Sequence, residues 1–414
     1  MSIALPGAPT AAIMMPTQAI TLNFQNRIRI CGEVLQGHVQ LNVPLALQDG
    51  IEHVRVKLRG SIYVELTESS THGNATTSST DRRRIELLRA DAPLWSQAGG
   101  PQTGVLSLPF QFRLPENLPP SFHCSVVDRK GIISYAIEVV ADRPGIFKMN
   151  RRIASLFSLV PAAAPQDLVF QQFLLQGWSG EWKTIVHEDK IRRGIWGDYS
   201  IVKTNLVMPA LNAYPMSTVF PFRVHITTET KPMKRTDTPD DKGKPLFPAP
   251  PASRSELELT LIRHVHLRTH HRQTQTIETV AVLGETGESQ RSKTLLMQAD
   301  PPEWVPGPSR DKGVWRRTVH MTSTMRLAVP PTFSTEILSW DYAFRFCVEF
   351  PGLGNDVRSD SAVWIVPAFA CPPPASFTRG PGATLNYADI PPSGPAPEMD
   401  LPPSYWSDEY HGWD

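Results

Sequence analysis

The sequence predicts an all-β chain: two tandem, immunoglobulin-like β-sandwich domains followed by a disordered, proline-rich C-terminal tail. Three observations carry this. Apolar and polar residues alternate strictly in both halves: Leu108, Phe110, Phe112 and Leu114 against Pro109, Gln111 and Arg113, then Tyr342, Phe344, Phe346, Val348 and Phe350 against Ala343, Arg345, Cys347 and Glu349. A period of two marks a strand buried on one face. The 40 prolines gather at strand boundaries and in the tail, positions that a helical protein would not favour. One device also appears once per half. Pro119-Pro120-Ser121-Phe122 precedes Tyr135-Ala136, and Pro330-Pro331-Thr332-Phe333 precedes Tyr342-Ala343. A proline corner followed by an alternating strand, used twice, points to two sandwiches of related design.

Taken in order, residues 1–19 read as a flexible lead and residues 20–160 as the first sandwich. Its early strands are ITLNFQN, HVQLNVPL and IEHVRVKLRGSIYVELTE. In the last, Val54, Val56, Leu58, Ile62, Val64 and Leu66 share one face, and Arg55, Lys57, Arg59 and Tyr63 share the other. Gly32 and Gly37 both read as turn positions. SSTHGNATTSST, from Ser69 to Thr80, has almost no apolar content and reads as a mobile loop. RRRIELLRADAPLW is ambiguous between a short helix and an edge strand. Beyond the corner, Ile133, Tyr135, Ile137, Val139 and Ala141 form one face of a strand, while Glu138, like Glu65, reads as an outward, solvated carboxylate. A final strand is expected near Ala154–Val160.

Residues 161–194 read as a linker packed at the domain interface, with no role evident for Trp178 and Trp182. Residues 195–370 repeat the logic of the first half: Phe220, Phe222, Val224 and Ile226, then Leu257, Leu259 and Leu261, alternate with polar neighbours. KRTDTPDDKGKPLFPAPPASRS between them reads as a disordered loop, and residues 371–414 as the disordered tail.

Composition narrows the function. Lys plus Arg (41) balances Asp plus Glu (40), which speaks against a nucleic-acid binder. Cys31, Cys124, Cys347 and Cys371 are scattered and form no CxxC pair, so neither a disulfide framework nor a zinc site is expected. The N-terminus lacks a basic n-region, and no apolar run reaches the roughly 20 residues that span a bilayer. A cytoplasmic protein is the expectation. No GxSxG, GxGxxG, P-loop or HExxH motif is present; catalysis, a cofactor and a resident metal are not expected.

Wording adds to pattern. PFxFxLPxxLPPSF, a GxIxY strand and a DRP turn (Leu108 to Pro144) resemble the N-terminal domain of the arrestin family, in particular the alpha-arrestin branch and its fungal trafficking adaptors. Cys31-Gly32-Glu33 with Gly37 fits the same pattern, and PPTFSTEILSWDYAFRFCVEF resembles the closing strands of the family's C-terminal domain. The resemblance covers roughly residues 20–160 and 195–370. It implies two arrestin-like sandwiches and an adaptor that recognises cytoplasmic tails of plasma-membrane transporters or receptors, peripherally attached to plasma membrane or endosome.

Three sets of residues are candidate contacts. Pro402, Pro403 and Tyr405 fit PPxY, the ligand pattern of WW domains. Consecutive prolines preset a polyproline II turn, so less entropy is lost on docking, and Tyr405 falls on the same edge as Pro402. Behind arrestin-like domains this implies recruitment of a HECT-type ubiquitin ligase, leading to cargo ubiquitination, endocytosis and sorting. A single copy worth on the order of −6 kcal/mol binds only at tens of micromolar. The second set, His264, His266 and Arg268 in RHVHLRTHHR, reads as one strand face able to meet acidic or phosphorylated cargo or an anionic membrane. Metal binding there is disfavoured, with no acidic ligand nearby in sequence and three arginines adjacent. The third set is Arg55, Lys57 and Arg59. A ligase-independent trafficking scaffold or coat component on the same fold is the alternative.

Overall fold

The computed structural model describes residues 18–371, apart from 26, 73–74, 101–102, 146–147, 195–196, 198, 237–245, 285, 287–295, 309–310 and 353. The expected flexible lead up to residue 17, the centre of the charged loop after Lys234, and the tail carrying Pro402, Pro403 and Tyr405 therefore lie outside the described residues.

Among the described residues the first half builds ten strands: β1 (Ile20–Asn23), β2 (Arg29–Ile30), β3 (Val34–Asn42), β4 (His53–His72), β5 (Ala75–Ser96), β6 (Val105–Arg113), β7 (Phe122–Val126), β8 (Arg129–Asp142), β9 (Arg151–Phe157) and β10 (Leu159–Val160). One sheet runs β1-β3-β6. The facing sheet runs β5-β4-β8-β7, with β9 also on β8. Val54, Val56, Leu58, Ile62, Val64 and Leu66 are all buried between them, as alternation requires.

The second half contains β11 (Trp182–Arg192), β12 (Tyr199–Pro209), β13 (Tyr214–Pro215), β14 (Val219–Glu229), β15 (Leu257–Arg268), β16 (Gln273–Val282), β17 (Leu296–Ala299), β18 (Glu303–Pro306), β19 (Gly313–Arg326), β20 (Phe333–Ser334), β21 (Leu338–Val348), β22 (Val357–Val363) and β23 (Ile365–Val366). Its sheets run β11-β12-β14-β19-β17, with β18 on β19, and β16-β15-β21-β20, with β22 on β21. The architecture is thus all-β, in two sandwiches. The two proline corners are structurally equivalent: Tyr135 Oη donates to Pro119 O (2.7 Å) and Tyr342 Oη to Pro330 O (2.9 Å).

Several expectations are corrected. The polar stretch Ser69–Thr80 is not a loop; most of it extends β4 and β5 as a hairpin that pairs from His53↔Ser96 to His72↔Ala75, with register shifts at Val54/Arg55 and Gly60/Ser61. Backbone pairing along a long hairpin outweighs the missing apolar signal. RRRIELLRADAPLW is strand throughout. HVQLNVPL stops being strand at Asn42, where helix α1 (Val43–Asp49) begins. Asn42 Oδ1 accepts from Leu45 N (3.4 Å), Pro44 sits in the first turn and Gly50 ends the helix, a capping pattern legible in sequence. Gly32 is a turn glycine (φ +86°), but Gly37 lies inside β3. A Cβ at Gly37 would come within 2.5 Å of the Phe110 ring, so close packing selects glycine there.

Within residues 161–194 lie helix α2 (Pro165–Leu175) and all of β11, which pairs with β12 along its whole length. An edge strand such as β11 exposes both polar and apolar side chains, which weakens its alternation. Trp178 donates to Glu181 O (2.9 Å), and Trp182 lies beneath the Arg223 guanidinium (4.6 Å).

Candidate functional site

The two sequence-predicted basic faces occupy different environments. On β4, register places Arg55, Lys57 and Arg59 beside Val140, Glu138 and Ala136 of β8. Arg55 pairs with Asp142 (3.2 Å) and stays partly exposed. Arg59 is only 5% exposed; it pairs with Asp91 (2.5 Å) and donates to Leu58 O and Ala90 O (3.1 Å each). With its donors engaged inside the sheet, Arg59 is corrected from ligand contact to structural member. Glu138 is corrected as well: it is 1% exposed rather than solvated, and it pairs with Arg152 (3.4 Å). β8 is flanked on both edges, so its second face is covered by long side chains from its neighbours.

On β15, His264 lies opposite Asp341 and Ile277, and His266 opposite Ser339 and Gln275. His264 Nδ1 is 2.8 Å from Asp341 Oδ1 and His266 Nε2 is 3.5 Å from Asp341 Oδ2. The acidic neighbour missing from the local sequence thus arrives from β21. Arg268 ends β15, and His270 falls in the turn beyond it. His266 and Arg268, with Gln273, Gln275, Glu336 and Ser339, line a cleft of about 440 Å³. Its donors suit an anionic or amide-bearing segment. Among the described residues no group of three or more metal-donor side chains is arranged to hold an ion.

The seam between the halves has no signal in the local sequence pattern. Phe122 of β7 stacks on Trp340 of β21, centroids 4.1 Å apart and nearly parallel. The Arg263 guanidinium lies over the Phe122 ring, 4.7 Å from its centroid, and pairs with Glu278 (2.6 Å). Cys124 Sγ donates to Glu278 Oε1 (2.9 Å); burial, then the adjacent carboxylate, push its thiol up to about 12. Arg129 donates to Thr274 Oγ1, Gln275 O and Thr276 Oγ1.

Further out, the β4–β5 hairpin grips the β15–β16 turn. Asp81 Oδ2 accepts from Thr269 Oγ1 (2.8 Å) and His271 N (3.0 Å), which hold its carboxyl below the usual range. Arg272 donates to Ser79 O (2.6 Å), and Arg83 pairs with Glu336 (2.7 Å), lowering that carboxyl too.

A buried ion cluster also escaped sequence reasoning. Glu33, 2% exposed, accepts from Arg27 (2.9 Å) and Arg29 (3.0 Å), and Arg29 reaches Gln25 O (2.6 Å). Burial lowers the Arg29 pKa, with Arg27 adding repulsion. The four cysteines are free thiols. No helix among the described residues is long and apolar enough to cross a membrane.

Compared with known families, residues 18–163 match the one described as arrestin (or S-antigen), N-terminal domain. No curated protein matches the chain.

Proposed function

We propose, on the premise that residues 18–163 are an arrestin N-terminal domain, that this chain is a trafficking adaptor of the alpha-arrestin kind. The two sandwiches hold a cytoplasmic segment of a membrane-protein cargo, and Pro402, Pro403 and Tyr405 recruit the WW domains of a HECT-type ubiquitin ligase. Cargo ubiquitination, endocytosis and sorting follow, from a cytoplasmic pool drawn to plasma membrane or endosome. The observation that carries the reading is the conjunction of the arrestin match with a PPxY sequence downstream of both sandwiches.

Anionic cargo or lipid contacts fall to Arg55, Lys57, His266 and Arg268, with His264 held back by Asp341 and Arg59 excluded by burial. Charge-assisted contacts of this type select acidic or phosphorylated segments.

Calorimetric titration of a peptide spanning Pro391–Asp414 against ligase WW domains, beside its Tyr405→Ala form, tests the ligase step. Binding at tens of micromolar that disappears in the variant is the expected outcome. A peptide that binds no WW domain overturns that step and favours a ligase-independent scaffold or coat component on the same fold.

A further inference from the structure

Helix α2 is inside out. At 100° per residue, Asp167, Gln171 and Leu174 fall on the protein side, while Val169, Phe170 and Phe173 share the solvent side. Leu174 is buried and Gln171 Nε2 donates to Thr218 Oγ1 (3.3 Å). Val169, Phe170, Phe173 and Leu175 remain between 40% and 66% exposed. α2 packs on β13 and β14, and two more exposed apolar residues belong to the same strands or their direct backbone partners: Val219, the first residue of β14, and Trp364, whose carbonyl accepts from Tyr214 N of β13 (2.8 Å). A surface helix normally turns its apolar stripe inward; a contiguous apolar face turned outward marks an interaction site.

The path of the chain says what covers it. Ala163 N, two residues before α2, donates to Phe369 O (2.9 Å). The chain therefore leaves the second sandwich beside the N-terminal end of α2, and residues 372–414 begin there. The 30 residues between Cys371 and Pro402 are a length of chain that can span about 30 Å, against roughly 16 Å for the whole helix. Residues 372–414 hold ten prolines, and exposed aromatic rings such as Phe170, Phe173 and Trp364 are the surface on which proline-rich, extended segments dock.

Other occupants fit less well. α2 carries no Lys or Arg, whereas helices that lie on anionic membranes are rich in both. Even with Val219 and Trp364 included, the half-exposed side chains offer a second copy only roughly 600 Å², short of the about 800 Å² that each partner of a stable dimer buries.

We propose that the outward face of α2, with Trp364, holds the chain's own segment 391–406 and so shelters Pro402, Pro403 and Tyr405 from WW domains. The consequence for ligase binding rests on the PPxY reading; the docking itself does not. Because the segment is tethered, even a weak contact is populated at millimolar effective concentration.

Two measurements on the full chain decide it. With Phe173→benzoylphenylalanine, photo-cross-linking followed by peptide mapping is expected to join position 173 to residues 391–406 of the same molecule. Cross-links only to a second copy, only to added anionic vesicles, or to nothing overturn the docking. In the titration, wild-type full chain is expected to bind a WW domain about tenfold more weakly than the free peptide 391–414. The exposed-site double variant Phe170→Ser/Phe173→Ser is expected to recover the affinity of the peptide. Equal affinities for peptide, wild type and variant overturn the sheltering. A peptide that binds no WW domain defeats the ligase step, and the cross-link still decides the docking.

Discussion

The corner at Pro119 and the corner at Pro330 use the same bond, a buried tyrosine donating to the first proline carbonyl, yet the strands behind them cover different things. β8 runs through the centre of its own sandwich, buried on both faces from Tyr135 to Ala141. β21 serves its own core with Phe344 and Phe346, but Trp340, a few residues earlier, stacks on Phe122 of the other half. One design is used twice. In the second use, one end of the strand works at the seam.

The sharpest test of that difference is Trp340→Ala. It removes the ring stacked on Phe122 and the donor to Pro331 O (2.9 Å), and about 3–5 kcal/mol of stability should go with it. Equilibrium denaturation measures this; a loss under about 1 kcal/mol breaks the idea that β21 fastens the halves.

Next in size is the corner bond itself. Tyr135→Phe leaves the buried Pro119 carbonyl unpaired and should cost about 1–3 kcal/mol. Tyr342→Phe should cost less, because Pro330 keeps some access to water. Equal losses would show that exposure of the carbonyl does not separate the corners.

A smaller effect is expected with acid at the seam. Asp81 and Glu336 have folded pKa values depressed by partners across the seam, Thr269 and His271 for Asp81 and Arg83 for Glu336. Their contribution is present above the unfolded carboxylate values of 3.8 and 4.5 and is lost as pH falls through the lower folded values. Protection factors at the β15–β16 turn, corrected for the intrinsic slowing of amide exchange in acid, should therefore fall below about pH 4, and Asp81→Asn should flatten that response. A turn that is equally protected at pH 6 and pH 3 contradicts the clasp.

Least disturbing to the fold is charge removal at the rim. Arg55→Gln with Lys57→Gln, which remove these charges without setting new carboxylates against Asp142 and Glu138, should cost about 1 kcal/mol or less while weakening binding to acidic peptides or anionic vesicles. Arg59→Glu, set inside the sheet against Asp91, should instead destabilise the protein outright. Thermal melts beside vesicle sedimentation separate the two outcomes.

Much of the fold was legible because its causes are local. Alternation at Val54–Leu66 and Tyr342–Phe350 fixes a strand and its inward face with no knowledge of the partner. Asn42, Pro44 and Gly50 spell out α1, although alternation in HVQLNVPL masked it. The site was less legible. Pro402, Pro403 and Tyr405 are a candidate read from consecutive residues alone, and they lie outside the described residues. His264 and His266 could be placed on one strand face, but Asp341 between them could not.

By itself, the sequence determined the all-β class, the two corners and the inward faces, each set by residues two to four apart or by one turn. Only the tertiary structure decided which second faces are covered. It buried Glu138 and Arg59, tied Asp81 to a turn nearly 190 residues away in sequence, and left the apolar side of α2 facing outward. Burial and ion pairing depend on which distant strand arrives alongside, and no local pattern of residues records that arrival.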